Sequence, residues 1–364
     1  MTTVVWRAEA LRYSRTAGEG ESGSRYLDRG RGAPIRLEPL PQPFGPSIPI
    51  LNDQGTNPRA LAVLLLIGSI WGSSFLFMKV LLDDISPIEI VAGRLFLGMI
   101  AIGLFVLWRR MPIRFTPRLV LPMSFLAIIS NIIPFGLIAW GEQHIDSGIA
   151  GVLNSTMPIF TAILAAMFLA EERITPMRLA GIALGFAGVL ALTGDDIVNV
   201  TDSSVLGQLA IIGAAFCYGV GAVYTRSLLG LHDPVSLASL QIALASALTV
   251  PLVFVIEGSP GYGMSAESAL SLLGLGVLGT GLAYVLFYWL IDNIGSVRSS
   301  LVTYVVPVIA LILGWIVLNE GIGFNVILGS ALIIGGVASV MRGQAPSSVR
   351  STNVHEGSAS PQNP

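Results

Sequence analysis

The chain has 364 residues, 53% hydrophobic and 12% charged, with a net charge of −2 and a mean hydropathy of +0.76. Soluble domains carry about 25% charged residues, so this composition excludes a soluble enzyme core and a nucleic-acid-binding surface and points to a chain embedded in a bilayer. A single cysteine, Cys217, lies within an apolar run, which excludes an intrachain disulfide.

Residues 1–58 are rich in Arg, Gly, Pro and Ser and have no apolar period, which predicts a disordered tail. They lack the apolar centre of a signal peptide, and Glu9, Glu19, Glu21, Asp28 and Glu38 argue against a transit peptide. A start codon assigned too far upstream explains them equally well. Ten apolar segments follow, at 60–82, 87–108, 119–140, 147–170, 176–194, 205–228, 234–256, 267–291, 297–318 and 322–341. Each is near the ~20 residues that cross a ~30 Å hydrocarbon core as a helix. Helices are required because every backbone group must be bonded within its own segment. Most connections are short, so neighbouring helices form antiparallel hairpins. Residues 343–364 make a second polar tail.

Orientation is read from the basic residues. Arg59 ends the first tail, and Arg109, Arg110, Arg114 and Arg118 follow the second segment. Arg173 and Arg178 follow the fourth, Arg226 ends the sixth, Arg298 follows the eighth and Arg342 the tenth. The alternate loops hold Asp83, Asp84, Glu142, Asp146, Asp195, Asp196, Asp202, Glu257 and Glu320, and no Lys or Arg. Both termini are therefore expected in the cytoplasm.

One stretch is written twice. Asn154 to Pro158 and on through Leu169 to Glu171 is echoed by Thr303 to Pro307 and Leu318 to Glu320. Trp140 and Trp289 keep the same offset of 149. The repeat spans 60–194 and 205–341, five helices each, and an odd number of crossings inserts the second copy upside down. The expected fold class is an all-α membrane protein, ten transmembrane helices as two inverted five-helix repeats. Such halves are a recurrent plan of secondary transporters, with the substrate site near the midplane.

Trp71-Gly72-Ser73-Ser74-Phe75 with Lys79, Ser86-Pro87 and Arg94-Leu95 resemble the opening of an EamA domain of the drug/metabolite transporter superfamily. The Pro158, Glu171, Gly181 and Gly188 pattern and its second copy resemble that domain's end. The resemblance covers about 60–341. It implies a ten-helix carrier of the cell (inner) membrane, often an exporter of amino acids or other small metabolites. The second copy departs at its opening: Phe216, Cys217 and Tyr218 replace the Trp-Gly motif, and Gln241 stands where Arg94 does in the first.

Ionisable groups within spans are functional candidates. Arg94 lies about 10 Å below the end of its helix at 1.5 Å per residue; it is expected to face a cavity and recognise an anionic group, or else to form a packing salt bridge. Lys79, the sole lysine, is either a coupling group or an interfacial anchor. Across the short hairpin it is near Glu89, the acidic residue placed within a span. Asn131, Asn154, Gln241, Tyr284, Tyr288, Thr303 and Tyr304 lie near mid-depth and are candidate cavity residues, though interhelical hydrogen bonds explain any one of them. Pro158 and Pro307 each free a backbone carbonyl and are candidate hinges. Glu171 and Glu320 end helices just before others begin, where a carboxylate suits a helix N-terminus; a proton-coupled gate is the sharper reading. Gly181, Gly185, Gly188, Gly329 and Gly336 form small-residue faces for close helix packing.

Lys79 follows Met78, so there is no Walker A lysine. His144, His232 and His355 are scattered, and neither His-Glu-x-x-His nor Gly-x-Ser-x-Gly occurs. No enzyme activity, metal or cofactor is expected. The partners expected are a small-molecule substrate and the lipid bilayer, with protons and a second copy of the chain left open. A channel or membrane-bound sensor is the alternative, although no ring of like charges supplies a filter, and a membrane-embedded enzyme comes last.

Overall fold

A computed structural model describes residues 58–111, 117–168, 175–193, 203–228, 234–258, 263–294 and 299–342. The tail at 343–364, nearly all of the tail at 1–58, and Glu171 lie outside the described residues, as does the side chain of Tyr288.

The described residues form helices only. They are α1 (Pro58–Leu81), α2 (Pro87–Arg109), α3 (Pro117–Glu142), α4 (Ser147–Phe168) and α5 (Pro176–Thr193) in the first half. The second half has α6 (Ser203–Leu228), α7 (Pro234–Ile256), α8 (266–294), α9 (Val302–Leu318) and α10 (Phe324–Arg342). Nine are long and apolar enough to cross a membrane, while α9 has 17 residues and is shorter. Apolar side chains cover the outside: Leu107, Trp108, Leu121, Val255 and Phe324 are 73% to 80% exposed. In water such a surface would aggregate; against lipid it costs nothing.

Local signals set the helix ends. Ser86 accepts from the Glu89 N–H while the Glu89 carboxylate accepts from the Ser86 N–H, 2.9 Å, and Pro87 pre-sets the first turn of α2. Glu89 is therefore the capping residue of that turn, not a carboxylate deep in the span. Arg110 and Asn319 close α2 and α9 in the left-handed region, φ 51° and 56°.

Four segments differ from the expected continuous runs. α4 is interrupted between Asn154 and Met157, just before Pro158, because proline cannot donate back to Asn154. Ser155 and Thr156 bond the loosened carbonyls of Val152 and Leu153 with their own hydroxyls. α9 starts only at Val302, and Pro307 sits inside it without breaking it. α3 and α8 each contain a π-helical stretch, Ile128–Ile132 and Gly274–Leu282.

The packing maps onto itself when the halves are exchanged. α1 packs on α9 and α6 on α4; α2 on α8 and α7 on α3; α3 on α6 and α8 on α1; α2 meets α7 and α5 meets α10. Glycines allow the tightest crossings. A methyl group on Gly181 would stand 2.6 Å from the Gly336 carbonyl oxygen, and one on Gly188 2.7 Å from the Ile333 nitrogen, so α5 and α10 touch backbone to backbone. The same holds at Gly72 of α1, 2.8 Å from the Val306 oxygen of α9.

Candidate substrate site

At mid-depth the helices bring four repeat-related pairs of residues together. Trp71 and Tyr218, and Arg94 and Gln241, stand 147 positions apart; Asn131 and Thr280, and Phe135 and Tyr284, stand 149 apart. The Arg94 Nε donates to the Thr280 hydroxyl at 3.0 Å. Its repeat equivalent is the bond from the Gln241 amide to the Asn131 carbonyl oxygen. Rings pair in the same way: Trp71 and Tyr284 make an edge-on contact with centroids 6.4 Å apart, and so do Tyr218 and Phe135, also 6.4 Å.

The π-helical stretches explain why the hydroxyl and amide point inward. Each adds a residue to one turn, and the two additions fall at equivalent places, one holding Asn131 and the other Thr280. The wound backbone also presents the Gly279 carbonyl, to which the Trp71 indole N–H donates at 3.1 Å.

Arg94 is 6% exposed, and its guanidinium lies over the Phe135 ring at 3.7 Å from the centroid. Its closest described partners, Thr280 and Phe135, are neutral. Tyr218, Tyr284 and Glu142 lie within electrostatic range, and Tyr284 lies beside Asn131. Burying a cation without a bonded counter-ion is costly, and the ring face offsets part of that cost.

A cavity of about 260 Å³ between α2, α7 and α8 leads from this cluster to the Arg109 end of the bundle. Tyr284 belongs to both, and Ile102, Phe105, Met111, Val235 and Trp289 line the cavity. At the opposite, acidic end the bundle is tied shut. Lys79 Nζ donates to the carbonyls of Glu142 and Ile145, the latter at 2.9 Å. The Glu320 carboxylate accepts from the N–H groups of Ser147 and Gly148 at 2.7 and 2.9 Å, and Asp84 accepts from the Ser265 N–H at 2.8 Å.

Of the candidates read from sequence, Arg94, Asn131, Gln241 and Tyr284 come together here. Asn154 lies at the α4 break with its buried side-chain oxygen unbonded. Tyr304 is set toward Arg342 at the end of α10, one residue beyond Thr303 in the first turn of α9. Lys79 bonds carbonyls and Glu89 caps α2. Glu320 does cap a helix, but that helix is α4 and not the next one in the chain. Sequence reasoning missed Thr280 and Phe135, and it placed Glu142 in a loop, whereas the carboxyl is 0% exposed at the end of α3.

An apolar helical bundle with a buried cation and a cavity that reaches the same cluster at Tyr284 defines a multi-pass membrane protein that handles a small molecule. The chain belongs to the EamA-like transporter family, which it matches over 58–194 and again over 205–342. It is a transporter chain and not an enzyme. It is 27% identical over 279 residues to the "Uncharacterized transporter YoaV" of Bacillus subtilis, covering 77% of this chain and 95% of that protein. It is 26% identical over 288 residues to a "Probable terminal-alkyne amino-acid exporter" of Streptantibioticus cattleyicolor, covering 78% and 94%. A solved crystal structure shares the fold with a TM-score of 0.56 and 19% identity, over 78% of this chain and 97% of that one.

Proposed function

We propose that this transporter is a secondary carrier that exports a small metabolite with an anionic group, an amino acid being the fitting class. The observation that carries the reading is the buried Arg94 guanidinium, seated on a ring and a hydroxyl, both neutral, in a cluster whose Tyr284 lines an accessible cavity. A carboxylate entering there would meet a desolvated, fixed cation, where charge-assisted bonds are strongest. Asn131, Gln241 and Tyr284 offer further hydrogen bonds, and the rings of Trp71 and Tyr218 suit an ammonium or apolar side chain. The amino-acid exporter among the relatives agrees with that class.

The cycle is alternating access between 60–194 and 205–341, each a five-helix repeat, one inverted in the cell (inner) membrane relative to the other. The exchange-symmetric packing supports it, because a tilt adopted by one half is open to the other. With both termini cytoplasmic, the Arg109 end faces the cytoplasm, so the cavity is the entry for an exported substrate. Lys79 and Glu320 hold the outer face closed, with Pro158 the hinge of α4 and Pro307 its counterpart in α9.

Counterflow of radiolabelled L-amino acids in proteoliposomes tests the reading. Wild-type protein is expected to exchange at least one of them, which a channel does not do. Arg94→Ala is expected to lower the exchange about 100-fold, the effect of losing a buried charged partner worth about 2–5 kcal/mol. Full exchange by Arg94→Ala would sink the recognition role.

A further inference from the structure

Glu142 has no place in the cluster above, yet it is the most thoroughly buried carboxyl among the described residues. It is 0% exposed, and neither Oε1 nor Oε2 has a hydrogen-bond partner. It ends α3 beside Gly141, which lies against the Gly207 backbone of α6. Lys79 from α1, Arg94 from α2 and Glu320 after α9 face it within electrostatic range. On its own connection stand Asp146, and His144, whose ring contacts Trp140.

The nearby cation Lys79 makes no hydrogen bond to it. Lys79 points its ammonium at the carbonyls of Glu142 and Ile145, not at the carboxyl. Glu320 is held by two N–H donors and adds negative charge to the same face. Burial, and after it Glu320, push the Asp146 carboxyl above its ordinary value, with Lys79 opposing. An ionised carboxylate sealed without a donor costs several kcal/mol; the neutral acid avoids that cost.

We propose that Glu142 is a proton-binding site that works the acidic face. This rests on the carrier reading, since it assigns the proton to one of the two access states. The face closes over the neutral acid; when it opens, water reaches the carboxyl and the O–H bond breaks, leaving a carboxylate and a proton taken up by water. Closing reverses this and takes one proton from the outer solution. Glu142 also links that proton to the substrate site, because the negative charge released on opening lies in range of Arg94.

Two measurements on the full chain in lipid nanodiscs test this. In pH-difference infrared spectra, the wild type is expected to show a protonated-carboxyl stretch that Glu142→Gln abolishes, Glu142→Asp shifts and Glu89→Gln leaves in place. In the second, Ala150→Cys is placed in α4 on a Cys217→Ser background and labelled with an impermeant maleimide. Labelling rates, divided by the thiolate-driven rise of the same cysteine in the unfolded chain, are expected to rise with pH, by at most about tenfold per unit for one linked proton, and to be flat in Glu142→Gln. A band that survives Glu142→Gln, or labelling as pH-dependent in Glu142→Gln as in wild type, overturns the proposal. Failure of the carrier reading shows separately, as absent counterflow of radiolabelled L-amino acids in the wild type, and the two measurements still decide whether Glu142 holds the proton.

Discussion

The two halves of the mid-depth cluster have one geometry and two chemistries. In one, a guanidinium bonds a hydroxyl and sits on Phe135. In the other, an amide bonds an amide beside Tyr284. Both bonds span corresponding helices, α2 to α8 and α7 to α3, and both lean on a π-helical stretch at the same place in the repeat. Duplication has therefore kept the scaffold, which depends on helix crossings and small residues, and let the side chains part. The difference gives the site a charge that points one way, which a symmetric pair could not.

The sharpest test moves that charge. Arg94→Gln alone should lower amino-acid counterflow about 100-fold, since a buried charged contact is worth about 2–5 kcal/mol. The double variant Arg94→Gln, Gln241→Arg restores the cation on the other half, opposite Asn131. Recovery of about tenfold or more would mean that charge at mid-depth is what matters. No recovery would mean that the Phe135 and Thr280 seat sets the geometry, with Tyr284 and Asn131 unable to replace it.

A smaller effect separates the ring pairs. Trp71 and Tyr218 make the same edge-on contact, but Trp71 also donates to the Gly279 carbonyl. Trp71→Phe keeps a ring and loses the bond, about 1 kcal/mol or roughly fivefold in counterflow. Tyr218→Phe keeps its ring contact with Phe135 and should change exchange by less than about twofold. Equal losses in both would mean that the indole bond contributes nothing beyond packing.

The legible parts of this molecule are those governed by period and repetition. Apolar runs gave the helices because lipid demands about 20 apolar residues, and the 147-residue offset paired Arg94 with Gln241 before any contact was known. Asn131 and Tyr284 stood out as polar groups in apolar runs. Thr280 and Phe135 did not, because a threonine or phenylalanine in a membrane helix is ordinary. Only the 149-residue offset from Asn131 and Tyr284 points to them. Glu142 was hidden by its neighbours: Gln143, His144 and Asp146 make a polar stretch that reads as loop, while the helix runs on through Glu142. Thr303, Tyr304 and Asn154 read as mid-depth from their place in apolar runs, but Thr303 and Tyr304 lie in the first turn of α9, and place in a run does not say which side of a helix faces the cluster.

The comparison between the tied acidic end and the end with the cavity yields the smallest effect. Asp84 joins the α1–α2 turn to the start of α8, and bonds from Ser265 and Ser268 hold its carboxyl below the ordinary value of 3.8. A carboxyl lowered in the folded state favours that state above its unfolded value, and the contribution is lost as pH falls through the folded one. Asp84 is fully exposed, so solvent screens the interaction and the effect is local. Hydrogen exchange at the Ser265 amide, corrected for its intrinsic pH dependence, should be faster in Asp84→Ala by a factor of about two to five at neutral pH. The wild type should approach the variant only when the pH drops below that of ordinary aspartates. Convergence at a higher pH, or exchange identical in both proteins throughout, would show that Lys79 and Glu320 close the face without help from this turn.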